Sequence, residues 1–217
     1  MKDGTIKVKI IKDDIVDEIC KNFTYEFNEY IEFKPHNLDK TVLPVGWSIG
    51  LIVGKSGSGK SILLKEFGDG LTVEWDEGRA IASHFGTYKD ATEKLMGVGL
   101  ASIPAWLKPY NVLSNGEKHK ADLARIINSD IVVDEFCSYV DNESALSLSN
   151  SIFKLIKSKK YKNVVFATLN RNIVQYLNPD WVYDTDNCTL TVNSKIYDVE
   201  SLQPIIFKKK HHFMEFM

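Results

Sequence analysis

A loop rich in glycine, serine and lysine carries the most specific chemistry in this sequence. Residues 49–61 read IGLIVGKSGSGKS, so a GxxxxGK[ST] pattern directly follows an apolar run. Glycines permit backbone angles that let successive N–H groups converge on phosphate oxygens at a helix start. Lys60 supplies positive charge for the β and γ phosphates, and the Ser61 hydroxyl can ligate Mg²⁺. We predict a nucleotide triphosphate site formed by Gly54, Lys55, Ser56, Gly57, Ser58, Gly59, Lys60 and Ser61, in which the Lys55 side chain is a spectator.

A flexible Gly/Ser turn is the alternative interpretation of this loop. However, residues 48–53 are predicted to form a buried strand, and residues 61–67 (SILLKEF) have the apolar spacing of a helix. The loop therefore joins a strand to a helix, which favours phosphate binding over a simple turn.

Two carboxylates follow a second apolar run. Residues 131–135 read IVVDE, which predicts a buried strand that ends in Asp134 and Glu135. Asp134 can hold Mg²⁺ from the side opposite Ser61. Glu135 is then free to accept a proton from, or polarise, a water that attacks the γ phosphate. Two solvated acids at a strand end are the alternative, which the phosphate-binding loop disfavours.

A third motif, residues 113–117 (LSNGE), precedes a predicted helix with the sequence KHKADLARII. Ser114 and Glu117 have the spacing of a capping box, with Ser as the N-cap and Glu as the third helical residue. Many ordinary helices use this device, so the spacing alone fits a structural role. Serine followed by glycine at a helix start also makes an anion site, and both interpretations can hold together.

This loop, placed just ahead of the IVVD strand, resembles the LSGGQ signature of ABC ATPases. Residues 138–141 (SYVD) also resemble the D-loop of that family, which is SALD in typical members. The resemblance implies a head-to-tail homodimer, in which the signature loop of one subunit closes over the γ phosphate held by the other. It implies that four residues act on ATP across the dimer interface: Ser114, Asn115, Gly116 and Asp141.

The sequence departs from this family where the switch histidine belongs. Residues 167–170 read ATLN, and the downstream segment 173–182 aligns Asn170 with that histidine. Asparagine can hydrogen-bond the γ phosphate but cannot carry a proton or a charge as histidine can. We therefore assign Asn170 to catalysis beside Glu135 and expect slow hydrolysis of ATP. An ATP-gated dimerisation switch or binding module with little turnover is the alternative function. A nucleotide or small-molecule kinase fits the chain length, but the signature segment does not support it.

Three segments are similar to stand-alone soluble ABC-type ATPases of bacteria and their phages, some of which are fused to a predicted acetyltransferase. They read VGLASIPAWLKPYNVLSNGEKHKADLAR, VVDEFCSYVD and LNPDWVYD, and the resemblance extends from Trp47 to Asp184. Transporter ATPases of the family have a longer helical subdomain between the two positions that Ser61 and Leu113 occupy here. Its reduction argues against a transporter role.

Two further nucleotide contacts are expected from the resemblance. No Q-loop glutamine is evident, and His84 occupies the equivalent place, although a buried or capping histidine is the favoured alternative. An aromatic residue ahead of the loop should stack on adenine. We choose Tyr30 over Tyr25 and Phe33, since most aromatic residues in that region belong to the core.

The composition indicates the class of protein. The 217 residues are 44% hydrophobic with a net charge of −2, which suits one α/β domain without general attraction to nucleic acid or anionic membranes. Cys20, Cys137 and Cys188 form no CxxC pattern, which favours a reducing cytoplasm over disulfides or zinc. No apolar run approaches the roughly 20 residues that span a bilayer, and a signal peptide is not evident. We expect a soluble cytoplasmic protein without a membrane partner.

Two basic clusters could recruit other molecules. Residues 157–162 read KSKKYK and residues 208–212 read KKKHH. A solvated helix end or tail is the favoured interpretation of such runs. Contact with nucleic acid, or with an unidentified protein partner, is left open.

The elements that must position these residues alternate between strands and helices, which predicts a mostly parallel, doubly wound sheet. We expect a P-loop NTPase of the ABC-ATPase type with reduced β and helical subdomains. The single domain would comprise an N-terminal strand and helix (1–45), an ATPase core (46–184) and a C-terminal extension (185–217). The predicted strands cover residues 5–11, 48–53, 71–75, 80–85, 131–135 and 163–168, and the helices 13–27, 61–67, 88–96, 118–127 and 143–159.

Overall fold

The computed structural model describes residues 5–193 of the chain. Its strands are β1 (Ile6–Lys9), β2 (Tyr30–Phe33), β3 (Ile49–Val53), β4 (Ile131–Val133), β5 (Val164–Thr168), β6 (Trp181–Asp184) and β7 (Thr189–Val192). A central sheet has the strand order β4-β5-β3-β6-β7. Strands β3 to β6 are parallel, and β7 is antiparallel to β6. The prediction of a mostly parallel sheet is confirmed. The sheet also continues past residue 184, into the segment predicted as a C-terminal extension.

Helices cover both faces of this sheet. They are α1 (Asp14–Asn22), α2 (Lys60–Leu64), α3 (Tyr88–Gly97), α4 (Ile103–Trp106), α5 (Asn115–Ile126), α6 (Asn142–Lys159) and α7 (Val174–Leu177). One core joins Ile49 and Leu51 of β3 to α3, α5 and α6, and a second core joins Ile52 to α2. Successive side chains of a strand point to opposite faces, so β3 supplies both cores. Within the described residues, no helix is both long and apolar enough to cross a membrane.

The N-terminal segment forms a small unit of its own. β1 and β2 pair as an antiparallel two-stranded sheet, and α1 lies between them in the sequence. Asp13 caps α1 by accepting a hydrogen bond from the Val16 N–H. No residue of α1 is buried. The predicted strand and helix of this segment are therefore confirmed, with shorter bounds.

The predicted strands at residues 71–75 and 80–85 are wrong. Residues 71–75 form no regular element, and Ile81–His84 is a 3₁₀ helix. Side-chain contacts explain the irregular path, because the Trp75 indole stacks on Tyr110 and donates to Asp122 at 2.8 Å. Trp75 is therefore held by side-chain packing against α5 rather than by a strand partner.

The close contact between β3 and β6 gives a test of the packing. A Cβ atom at Gly50 would lie 2.1 Å from the Trp181 ring. We expect Gly50→Ala to lower the free energy of unfolding by about 1–3 kcal/mol, because the buried indole must move. Urea unfolding followed by circular dichroism measures this. Gly86→Ala is the matched control, since a Cβ there meets nothing within 4 Å. Equal midpoints for the two variants would contradict the proposed packing.

Candidate functional site

The glycine-rich loop turns between the buried strand β3 and the start of α2. Gly57 and Gly59 have φ values of +74° and +90°, which glycine adopts without the penalty of a side chain. Gly59 is the N-cap of α2, and it offers no side-chain cap to the first turn. The free N–H groups of a helix start thus lie beside the loop, as a phosphate site requires. Lys60 and Ser61 are the first two residues of this helix.

The loop is braced by the turn that follows β6. The Thr185 hydroxyl lies 2.6 Å from the Ser58 hydroxyl, and it donates to the Val53 carbonyl at 3.0 Å. Asp186 accepts a hydrogen bond from the Lys55 N–H at 3.0 Å. The backbone of Lys55 therefore has a fixed partner, while its side chain takes no part in this contact. Sequence analysis missed Thr185 and Asp186, because nothing in their local pattern marks a contact with the loop.

The N-terminal segment braces the loop from its other end. His36 Nε2 donates to the Ser58 carbonyl at 2.6 Å, and a Cβ at Gly59 would lie 2.7 Å from the Phe33 ring. Tyr30 lies on the same strand as Phe33 but on the opposite face, since the two are three residues apart. Phe33 is thus an aromatic residue beside the loop, and the stacking of Tyr30 on adenine stays a prediction. His36 was also missed, although it is the residue that ties this segment to the loop.

Lys60 crosses the loop from the first turn of α2. Its Nζ donates to the Gly54 carbonyl at 2.9 Å and to the Lys55 carbonyl at 2.6 Å. Partial burial lowers the pKa of Lys60, while the negative charges of Asp134, Asp186 and Glu135 act in the opposite direction. The acidic residues after β4 are therefore close enough to Lys60 for their charges to act on it.

The two carboxylates lie in a tight turn after β4. Asp134 accepts a hydrogen bond from the Glu135 N–H at 2.8 Å. Glu135 has a φ of +50°, a left-handed conformation that is uncommon for a residue with a side chain. The turn is tied to β5, since the Phe136 N–H donates to the Ala167 carbonyl at 2.8 Å. Both carboxylates are exposed, so they can reach groups outside the fold.

Ser114 forms the capping box at the start of α5. Its hydroxyl accepts from the Glu117 N–H, and Glu117 accepts from the Ser114 N–H at 2.9 Å. Ser114 and Asn115 are exposed, and a Cβ at Gly116 would lie 3.9 Å from Val140. The structural role of the motif is therefore confirmed. The predicted role of Ser114, Asn115 and Gly116 at a nucleotide stays a prediction.

Asp141 and Asn170 are also caps. Asp141 is the N-cap of α6 and accepts from the Ser144 N–H at 2.9 Å. Asn170 follows β5, where its side-chain oxygen accepts from the Asn172 N–H and its amide donates to Asn142 at 3.2 Å. β5 lies between β3 and β4, so Asn170 is placed between the phosphate-binding loop and the acidic turn. Its predicted contact with a γ phosphate stays a prediction.

His84 is engaged within its own segment. Its Nε2 accepts from the Asp76 N–H at 3.0 Å, its Nδ1 lies 3.1 Å from the Ala80 carbonyl, and its ring packs edge-on against Trp75. Both ring nitrogens are thus in use. These contacts support the alternative interpretation, in which His84 is structural rather than a nucleotide contact.

The basic run at residues 157–162 contributes mostly internal contacts. Lys157 pairs with Asp180, Lys159 pairs with Glu93, and Lys162 donates to the Gly46 carbonyl at 2.6 Å. These contacts support the interpretation of the run as a helix end. The second cluster, residues 208–212, lies outside the described residues.

Comparisons with known proteins bear on the fold. No family model matches the sequence, and no curated protein matches it either. The dimeric structure of MJ0796, described as a bacterial ABC transporter cassette, has a TM-score of 0.50 and 17% identity, covering 72% of this chain and 87% of that chain. A post-hydrolysis structure of MJ0796 bound to ADP and Pi has a TM-score of 0.54 and 16% identity, covering 84% and 92%. This chain has the fold of an ABC ATPase cassette. The similarity to stand-alone bacterial and phage ATPases stays a prediction.

The ABC cassette fold here contains an ion-pair network that supports the phosphate-binding loop. Arg171 donates to Asp184 at 3.0 Å and to Asp186 at 2.8 Å. The Arg171 guanidinium holds the pKa of Asp184 well below its usual range. A carboxylate with a lowered folded pKa stabilises the fold above its unfolded pKa of about 3.9, and this contribution is lost as the pH falls further.

We therefore expect Asp184→Asn to lower the free energy of unfolding by about 1 kcal/mol at neutral pH, a modest value because solvent reaches Arg171. The difference from the wild type should narrow below about pH 4. Urea unfolding at several pH values measures it. Asp69→Asn, at an exposed aspartate after α2, is the control. A pH-independent difference for Asp184→Asn would contradict the role assigned to its charge.

Proposed function

We propose that this chain binds ATP with Mg²⁺ and hydrolyses it slowly in a head-to-tail homodimer. The observation that carries the proposal is the strand order β4-β5-β3, which brings the phosphate-binding loop after β3 and the acidic turn after β4 to one edge of the sheet. The ABC cassette fold supports this assignment. Dimeric MJ0796 and its structure with ADP and Pi support self-association and ATP hydrolysis.

The residues of the loop would bind the triphosphate. N–H groups of the loop and of the first turn of α2 would donate to the phosphate oxygens, with Lys60 adding positive charge. Glu135 would accept the proton of a water while the water oxygen bonds to the γ phosphorus. The bond from that phosphorus to the bridging oxygen breaks, and ADP and phosphate leave. Asn170 would hydrogen-bond the γ phosphate without moving a proton.

Ser61 and Asp134 fit a magnesium site by their chemistry. Both offer oxygen, which Mg²⁺ prefers, and both are exposed at the same sheet edge. Asp134 uses Oδ1 to accept the Glu135 N–H, and Oδ2 is available for a ligand. When bound, the ion would offset the negative charge of the phosphates.

The second half of the site would come from a second copy of the chain. Ser114, Asn115 and Gly116 lie at the N-terminus of α5, a 12-residue helix whose dipole favours an anion. Asp141 would contact the opposing site as the D-loop resemblance implies. A nucleic-acid or protein partner is a further proposal that rests on the family resemblance. The proposed cytoplasmic location rests on the scattered spacing of Cys20, Cys137 and Cys188, which form no CxxC pattern.

A switch with little turnover is the second candidate function. The observation that favours it is the engagement of Asn170, whose side chain bonds to Asn172 and Asn142 and offers no titratable group. In this case ATP binding would close the dimer, and the closed state rather than hydrolysis would be the output.

Glu135→Gln tests the assignment of the base. We expect ATP binding to persist, phosphate release to fall by roughly 10²- to 10⁴-fold, and the ATP-bound dimer to accumulate, because the amide cannot accept the proton. Phosphate release and size-exclusion chromatography measure the two effects. Hydrolysis at the wild-type rate would show that Glu135 is not the base. Wild-type phosphate release no higher than that of Asp134→Ala would favour the switch.

Ser114→Arg tests the head-to-tail arrangement. We expect this variant to lose ATP-dependent dimerisation while one subunit keeps its affinity for ATP, because the bulky cation would block the approach of the partner. Glu117→Ala is the control, since it disrupts the same capping box without adding bulk. Dimerisation is measured on a sizing column with ATP, using proteins that also carry Glu135→Gln. If Ser114→Arg still dimerises there, the motif has only a capping role.

A further inference from the structure

A tyrosine four residues beyond Glu135 holds the carboxylate of the proposed base. The Tyr139 hydroxyl donates to Glu135 Oε2 at 3.1 Å. This bond occupies one oxygen of the carboxylate and leaves Oε1 to accept from water. The hydrogen bond raises the pKa of the Tyr139 hydroxyl, so the phenol stays protonated and remains a donor near neutral pH.

The backbone of the turn does not depend on this tyrosine. Phe136 is fully buried, its N–H donates to the Ala167 carbonyl, and its own carbonyl accepts from the Thr168 hydroxyl at 2.7 Å. β5 thus fixes the turn. The Glu135 side chain is exposed beyond it and has several rotatable bonds, so the fixed backbone alone does not set the direction of the carboxylate. Tyr139 is the only hydrogen-bond donor to this carboxylate among the described residues.

The Tyr139 ring also contacts a residue of α5. Its ring centroid lies 5.5 Å from that of His119, which is on α5, two residues beyond the capping box. Burial lowers the pKa of His119, so the imidazole is neutral. The ring contact therefore does not require a charge on His119. It places Tyr139 between α5 and Glu135, although the tyrosine side chain is largely exposed.

We infer that Tyr139 is a positioning residue that orients the Glu135 carboxylate toward the attacking water. The inference rests on the proposed function, because it concerns the base of that reaction. Tyr139 touches neither the nucleotide nor the reacting water in this scheme. It acts only by holding Glu135, and its contact with His119 lets the position of α5 influence the direction of the carboxylate.

Tyr139→Phe removes the hydroxyl and keeps the ring. We expect kcat for ATP hydrolysis to fall about tenfold, in line with the loss of one hydrogen bond to a charged group. KM and the affinity for ATP should stay unchanged, because the loop that binds phosphate is untouched. The thermal midpoint should also stay unchanged, since the ring can still pack on His119. Tyr88→Phe, at an exposed tyrosine in the first turn of α3, is the matched control and should keep the wild-type kcat.

A second comparison separates positioning from a general structural effect. In the Glu135→Gln background, Tyr139→Phe should cause no further loss of kcat, because the group that it positions has been removed. A wild-type kcat in Tyr139→Phe, or an equal loss in both backgrounds, would overturn the inference while Glu135→Gln still supports the proposed function. If the wild type releases no phosphate above Asp134→Ala, both the proposed hydrolysis and the inference fall.

Discussion

The path of the phosphate-binding loop depends on the close approach of Gly54 to Thr185. A Cβ at Gly54 would lie 1.9 Å from the Thr185 hydroxyl and 2.7 Å from that of Ser58, and the glycine has a φ of +156°. Because no side chain fits there, the loop can pass directly over the end of β6. The Thr185 N–H then donates to the Val53 carbonyl at 2.8 Å, which continues the register between the strands. A contact between neighbouring strands thus sets the start of the loop.

Contacts between neighbouring strands also position the other turns at this edge of the sheet. Parallel strands present their carboxyl ends at one edge, and the order β4-β5-β3-β6 places the acidic turn, Asn170, the loop and Thr185 side by side. β5 connects the acidic turn to Asn170. Thr168 accepts from the Asn170 N–H and donates to the Phe136 carbonyl. A shift at the end of β5 would therefore move both the acidic turn and Asn170.

Local patterns in the sequence were enough to predict the turn of the loop, the acidic strand end and the capped start of α5. Each of these depends on residues that are close in the chain: glycines that turn between a strand and a helix, an apolar run followed by acids, and the spacing of Ser114 and Glu117. The hydrogen bonds that hold the loop from distant parts of the chain could not be predicted in this way. Ser58 and Thr185 are 127 positions apart, and His36 reaches Ser58 from 22 positions away. Only the folded chain brings them together.

The wrong prediction of a strand at residues 71–75 has a related cause. Residues 71–75 alternate polar and apolar side chains as an exposed strand would, but a strand also needs a partner for its backbone. The structure gives Trp75 a stacked tyrosine and a carboxylate instead. The contact of Phe33 with the loop was missed for a simpler reason. Position in the sequence cannot tell which face of β2 meets the loop, whereas a change of one residue reverses the face.

The caps limit how the signature segment could recognise a phosphate. The Ser114 hydroxyl donates to Glu117 at 2.9 Å while it accepts from the Glu117 N–H, so its proton is already committed. The Ser114 N–H is likewise bound by Glu117. A helix gives no internal partner to the N–H groups of its first residues, which here are those of Asn115 and Gly116. In the proposed dimer, these two backbone groups, rather than the serine hydroxyl, would be the ready donors to a γ phosphate. The capping box then has a second effect, since it keeps the helix start rigid and directs those N–H groups outward.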